Sequence, residues 1–159
     1  MRVKEKLRQE CFLSAVRENA GAFYRYAYSV LLNRQDAEDA VSEMILKAFE
    51  HLDDLRHIHK MRSWMFQILA NICKTALSKR KYFDASDENV QTEVCHKDYT
   101  QLWESIRKMD EKFREVVILY YFECLKTREI AQILDISEGT VKSRLSRARD
   151  KLKEDLLLE

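Results

Sequence analysis

An all-α protein of two small helical domains, the second containing a helix-turn-helix, is what this sequence predicts. Three observations carry the prediction. The 159 residues include two glycines and no proline, too little turn chemistry for a sheet protein. Apolar residues recur at helical spacing along most of the chain. Between two such stretches lies a polar, acidic segment, FDASDENVQTEVCHK, with no sustained apolar period. The domains are expected at residues 1–82 and 99–159, joined by a flexible linker at 83–98.

The elements follow in order. Residues 12–32 form an aromatic-rich helix whose Phe12, Phe23, Tyr24, Tyr26 and Tyr28 are mostly core. Asn33 to Asp36 is a connection with capping chemistry. The helix at 36–52 has an inner stripe of Ala37, Ala40, Val41, Met44, Ala48, Phe49 and Leu52. Asp36, Glu38 and Asp39 occupy its first turn, where negative charge suits the helix dipole, and Glu43 lies outside. The residues alone leave two readings of these acids open, good helix design or an acidic docking face.

After a polar loop at 53–60, a helix at 61–76 places Met61, Trp64, Met65, Ile68, Leu69, Ile72 and Ala76 inward. Arg62, Ser63, Gln67, Asn71, Lys74, Thr75 and Ser78 are read as its outer face. The stretch closes on the basic run Lys79-Arg80-Lys81. Cations beside amides and aromatics suit single-stranded or locally opened nucleic acid. In the second domain, helices at 99–109 and 111–122 bring in Leu102, Trp103, Ile106, Phe113, Val116, Val117, Tyr120 and Tyr121 as core.

Residues 127–153 then read as a short helix (Ile130, Ala131 and Leu134 inward), a break at Asp135-Ile136-Ser137 with Ser137 as N-cap, and a basic second helix. Val141, Leu145, Ala148 and Leu152 form the buried stripe of that second helix. Lys142, Ser143, Ser146, Arg147 and Arg149 lie off that stripe, and Arg144 flanks them. Short donors among cations suit the reading of base edges in a major groove.

The whole-chain charge is only +1, but its distribution is uneven. Residues 36–54 carry Asp36, Glu38, Asp39, Glu43, Glu50, Asp53 and Asp54 against Lys47 alone, whereas residues 56–81 carry lysines and arginines and no acid. Such alternation fits basic faces for phosphate beside an acidic face for a protein. No run approaches the ~20 apolar residues of a membrane span, and MRVKEKLRQE has no signal-peptide core. We therefore expect a cytoplasmic protein with no direct membrane insertion. Cys11, Cys73, Cys95 and Cys124 lack metal spacing, and His51, His57 and His59 have no partners to complete a metal site. No metal or cofactor is expected. No nucleophile–base pair or Gly-rich phosphate loop suggests an enzyme.

Three stretches in order, FYRYAYSVLLNRQDAEDAVSEMILKAFEHL, RSWMFQILANICKTALSKRK and FREVVILYYFECLKTREIAQILDISEGTVKSRLSRARDKLKE, resemble bacterial RNA polymerase sigma factors. The group resembled is the extracytoplasmic-function (ECF) group of the sigma-70 family. The resemblance implies that Asp36, Glu38, Asp39 and Glu43 dock on RNA polymerase core. It implies that Arg62, Gln67, Asn71, Lys74, Lys79 and Arg80 serve the promoter −10 element, with Asn71 at the motif's Asn, and that Trp64 is structural. It implies that Thr140, Lys142, Ser143, Ser146 and Arg147 serve the −35 element, with the linker threading through the polymerase. Promoter DNA and polymerase core are the implied partners, and family members are often held by an anti-sigma factor. The rival reading is a stand-alone helix-turn-helix regulator independent of polymerase. Ser42, Gln67, Leu69, Met109 and Thr75 depart from common family residues, as does Asp135, which stands where Gly is common and tolerates a left-handed backbone less well.

Overall fold

The computed structural model describes residues 2–83 and 100–157. Every regular element among them is helical, and they fall into two compact units. The expected linker at 83–98 lies outside the described residues, apart from Phe83, which ends a helix.

The first unit is three packed helices, α1 (Arg2–Leu31), α2 (Arg34–Glu50) and α3 (Met61–Phe83), with 3-10 turns at Leu52–Asp54 and Ile58–Lys60. α1 begins ten residues earlier than the aromatic pattern predicts. The polar run before Phe12 is made of good helix formers, and Arg8 ties it down by donating to the Leu52 and Asp53 carbonyls, each at 3.1 Å. α1 stops because Leu32 turns to φ 51°, with its N–H on the Tyr28 carbonyl at 2.8 Å. α2 starts at Arg34 because the Asn33 side chain, not that of Asp36, caps it, accepting the Asp36 N–H at 2.9 Å.

Ala37, Ala40, Met44 and Ala48 are buried, and the small residues let helices approach closely. Phe49 departs from the expected stripe: it is 54% exposed and meets only the edge of the core through Phe12, ring centroids 5.7 Å apart. The centre of the unit is Phe66, 4.8 Å from Phe23 and 6.0 Å from Tyr26. With Met65, Leu69, Ala70, Ile72 and Cys73 it makes the buried side of α3. Trp64 and Ile68, expected inward, are half-buried flanks. α3 also continues past residue 76, because nothing in ALSKRKYF breaks a helix.

In the second unit α4 (Thr100–Lys108), α5 (Glu111–Val117) and α6 (Thr127–Leu134) gather around α7 (Glu138–Leu157). Arg114 is buried and donates to the Met109 carbonyl at 2.7 Å and the Arg107 carbonyl at 3.3 Å, holding the end of α4. Burial lowers its pKa from the ordinary arginine range. After Val117 the helix widens into a π-turn, Ile118–Phe122. The wider turn breaks the 3.6-residue period, so Tyr120 and Tyr121, expected inward, are exposed while Ile118 and Leu119 are buried.

α6 closes on Asp135 in the left-handed conformation, φ 53° and ψ 49°, with the Ile136 N–H on the Ala131 carbonyl at 3.0 Å. A Gly would adopt this geometry without strain. Ser137 caps α7 as expected, its Oγ accepting the Thr140 N–H at 3.1 Å. Ile130 and Ile133 supply the buried face of α6, with Ala131 and Leu134 half-buried beside them. Val141, Leu145 and Ala148 are buried on α7.

Candidate nucleic-acid interface

Two helices, one in each unit, present donors to solvent. On α7 the outward residues are Lys142, Ser143, Ser146 and Arg147, all exposed, with Thr140 half-buried at the first turn. Their freedom differs. Thr140 is held by the cap, its hydroxyl 2.7 Å from Ser137 Oγ. Ser143 Oγ donates back to the Thr140 carbonyl at 3.0 Å. Lys142 stands 3.7 Å from Glu138. Ser146 and Arg147 make no hydrogen bond or ion pair among the described residues. Glu138 also accepts from Thr127 Oγ1 at 2.8 Å, a link between α6 and α7. That hydrogen bond first, and Lys142 second, hold its carboxyl below the usual range. Arg149 leans away from that row onto the Tyr121 hydroxyl at 3.1 Å. That bond raises its pKa further above the ordinary arginine range. Tyr120 stacks edge-on to Tyr121, centroids 4.9 Å apart. Sequence periodicity missed this exposed aromatic–cation group because the π-turn creates it.

On α3, Gln67, Asn71 and Lys74 are exposed and share one stripe with Ser78 at spacings i, i+4, i+7 and i+11. Lys81 continues the stripe and was absent from the expected contacts. The same spacing rule, carried on for one more turn, finds it. The Thr75 and Ser78 hydroxyls bond back to the Asn71 and Lys74 carbonyls, each at 3.0 Å. The Asn71 amide and the Lys74 ammonium remain outward. Lys79 is exposed to one side of the stripe.

Arg62 and Arg80 do not join it. They lie five helical turns apart on the inner side of α3. Arg62 Nε donates to Asn19 Oδ1 at 2.7 Å, and its guanidinium sits 5.3 Å from the Phe66 ring centre. Arg80 donates to the Leu31 carbonyl at 2.7 Å and forms a salt bridge with Asp36. The expected grouping of Arg62 with Gln67, Asn71 and Lys74 on one face is therefore corrected.

On α2, Glu38, Asp39 and Glu43 are exposed and Asp36 is half-buried. Glu38 pairs with Arg34 at 3.1 Å, Asp39 accepts from Gln35 at 3.0 Å and Glu43 pairs with Lys47 at 2.9 Å. Exposed i,i+4 pairs of this kind are worth only ~0.3–0.5 kcal/mol, so another protein's cations can displace them. Leu46, 65% exposed, lies three residues past Glu43 on the same side. It lies off the apolar stripe of α2, a position that helical spacing alone identifies.

The sigma-70 region 2 pattern matches residues 8–82 and the sigma-70 region 4 pattern matches residues 99–152. RNA polymerase sigma factor SigV of Bacillus subtilis is 30% identical over 150 residues, covering 91% of this chain and 90% of that protein. This chain belongs to the ECF group of the sigma-70 family of RNA polymerase sigma factors. A second relative, ECF RNA polymerase sigma factor SigW of Bacillus subtilis, is 27% identical over 98% of this chain and 97% of its own. Among solved structures, the sigma factor RpoE in complex with the anti-sigma factor NepR from Bartonella quintana matches with a TM-score of 0.78. It is 25% identical and covers 93% of this chain and 98% of that one. CnrH, solved in complex with the cytosolic domain of CnrY, shares the fold with a TM-score of 0.68 at 23% identity, covering 95% of this chain and 90% of that one.

Membership decides between the two functional readings: the sigma factor directs promoter recognition and transcription initiation with RNA polymerase core, rather than acting as a stand-alone regulator. Sigma factors are regulatory proteins. Among the described residues, no helix of this one is long and apolar enough to cross a membrane.

Proposed function

We propose that this sigma factor divides its work between the two units. Residues 1–82 dock on polymerase core through α2 and engage the −10 element through α3. Residues 99–159 read the −35 element through α7, and residues 83–98 connect the two. The observation that carries the division is that each unit presents its own solvent-facing row of hydrogen-bond donors, Gln67, Asn71 and Lys74 on α3 and Lys142, Ser146 and Arg147 on α7.

On α7, Arg147 and Ser146 meet base edges or phosphate directly. Lys142 exchanges Glu138 for phosphate, while Thr140 and Ser143 support the first turn. Each good base contact discriminates by about 1–3 kcal/mol, and the cations add a salt-sensitive attraction that is blind to sequence. On α3, Asn71 bonds an unstacked base of the opened strand while Lys74, Lys79 and Lys81 neutralise backbone. Unstacking costs about a few kcal/mol, offset by that contact and by stacking on nearby rings. Asp39 and Glu43, with Glu38 and Leu46 beside them, meet a basic, partly apolar surface of core. Polymerase holds both units near DNA, so two weak contacts act as one strong one.

The protein works without catalysis of its own and in the cytoplasm, where its polymerase is. RpoE was solved in complex with an anti-sigma factor and CnrH with the cytosolic domain of CnrY. An anti-sigma factor is proposed as a partner of this sigma factor also. Run-off transcription with purified core tests the division. Lys142→Ala with Arg147→Ala should abolish preference for the upstream element, and unchanged preference would show the reading face to be misplaced. Reversing Asp39 and Glu43 to Lys should weaken core binding, and undiminished affinity would remove α2 from the docking surface.

A further inference from the structure

The last turns of α3 make a contact that neither the −10 face nor the docking face explains. One amino group of Arg80 donates to the Leu31 carbonyl at 2.7 Å, and the other is bonded to the Asp36 carboxylate. Leu31 is the last residue of α1, and Asp36 is in the first turn of α2. One guanidinium therefore joins the end of α3 to the end of α1 and the start of α2. Both acceptors are negative, one by its full charge and the other as a carbonyl at a helix C-terminus. A planar fork meets two such acceptors at once, which a lysine ammonium on one flexible stem does less well. The side chains are 35% and 45% exposed, so the pair is partly withdrawn from water, unlike the displaceable pairs farther along α2.

We propose that Arg80 and Asp36 couple the docking helix to the DNA-facing helix, with Arg80 acting as a positioning residue and not as a phosphate ligand. The inference rests on the assignment of the outer α3 stripe to the −10 element. Arg80 lies on the opposite side of α3 from that stripe. Arg62, bonded to Asn19 at 2.7 Å, fixes the start of the same helix five turns away. α3 is thus pinned at its start to α1 and at its end to both α1 and the base of α2, the helix that carries the docking acids. A base contact by Asn71 tolerates only about 0.5 Å of misplacement. Fixing α3 to the base of α2 keeps that error small once core has fixed α2.

The test uses holoenzyme assembled from the full chain and core polymerase. Promoter opening is measured for Arg80→Asp, Asp36→Arg and the double swap. Each single reversal should lower opening by about tenfold, the cost of a broken charge-assisted bond. The double swap should restore most of the loss, as coupled neighbours do. Discrimination at the −10 element should fall with the single variants and return with the double, while −35 discrimination stays constant throughout. Arg80→Gln should leave the salt dependence of DNA affinity unchanged. Losses that multiply in the double variant, or a salt slope reduced by about one on Arg80→Gln, would make Arg80 a DNA ligand and overturn the proposal. If a single reversal unfolds the first unit, the double swap must regain its melting temperature, and failure to do so also overturns the pairing. Asn71→Ala separates this proposal from the one beneath it. If it leaves −10 discrimination unchanged while the swap still rescues, the coupling stands and only the stripe assignment falls.

Discussion

The two helices proposed to face DNA, α3 and α7, handle positive charge differently. α3 carries five cations, and the two arginines among them, Arg62 and Arg80, are turned inward to hold the three-helix unit together. Its outward row is amides and lysines. In the second unit the structural arginine, Arg114, lies on α5 and is buried, which leaves α7 free to present Arg147. A basic stretch in a sequence is therefore not a basic surface. An arginine close to helix ends and main-chain carbonyls tends to be taken up by them, because its fork satisfies several acceptors together.

The contrast can be broken most forcefully through the cores. Phe66→Ala should destabilise the first unit by ~3–5 kcal/mol, seen as an early transition in urea unfolding of the full chain, with the second unit's transition unmoved. Arg114→Ala should do the reverse, costing the second unit about 2 kcal/mol by stripping charged donors from buried carbonyls. If Arg114→Ala instead altered salt-dependent DNA affinity and left stability intact, its assignment as a structural arginine would be wrong.

A smaller effect is expected at the turn of the helix-turn-helix. Asp135→Gly should stabilise the second unit by about 1 kcal/mol, the strain of a left-handed backbone on a residue with a Cβ. An unchanged midpoint would show that the Asp side chain compensates. Smallest of all is the Glu138 carboxyl. Its pKa is depressed in the folded state by Thr127 and then Lys142. The stability it lends is therefore present above its unfolded pKa and fades as pH falls through the lower, folded one. Carbon-detected NMR should place its titration below the ordinary glutamate range, and Thr127→Val should move it back upward.

Much of the second unit was legible in the sequence. Ser137 as cap, the buried Val141, Leu145 and Ala148, and the exposed row at Lys142, Ser143, Ser146 and Arg147 all follow from local chemistry and the 3.6-residue period. What escaped was non-local or aperiodic. The partners of Arg62 and Arg80 lie more than forty residues away along the chain, beyond the reach of any window. Tyr120 and Tyr121 fit the inner face by helical spacing but stand outside, because a π-turn inserts a residue that periodicity cannot foresee. Phe49 is expected in the α2 stripe, yet it stands about 100° round the helix from the fully buried Ala48 and faces solvent. The family resemblance gave the acidic face of α2 its proposed partner, which helical geometry alone left open.

The proposed division of labour between α3 and α7 is tested most directly by base-substituted promoters transcribed by holoenzyme carrying Asn71→Ala or Arg147→Ala. Asn71→Ala should flatten discrimination within the −10 element and leave the −35 element as selective as before. Arg147→Ala should do the opposite, by about 1–3 kcal/mol at the position it contacts. Loss of selectivity at the same element in both variants, or at neither, would contradict the division.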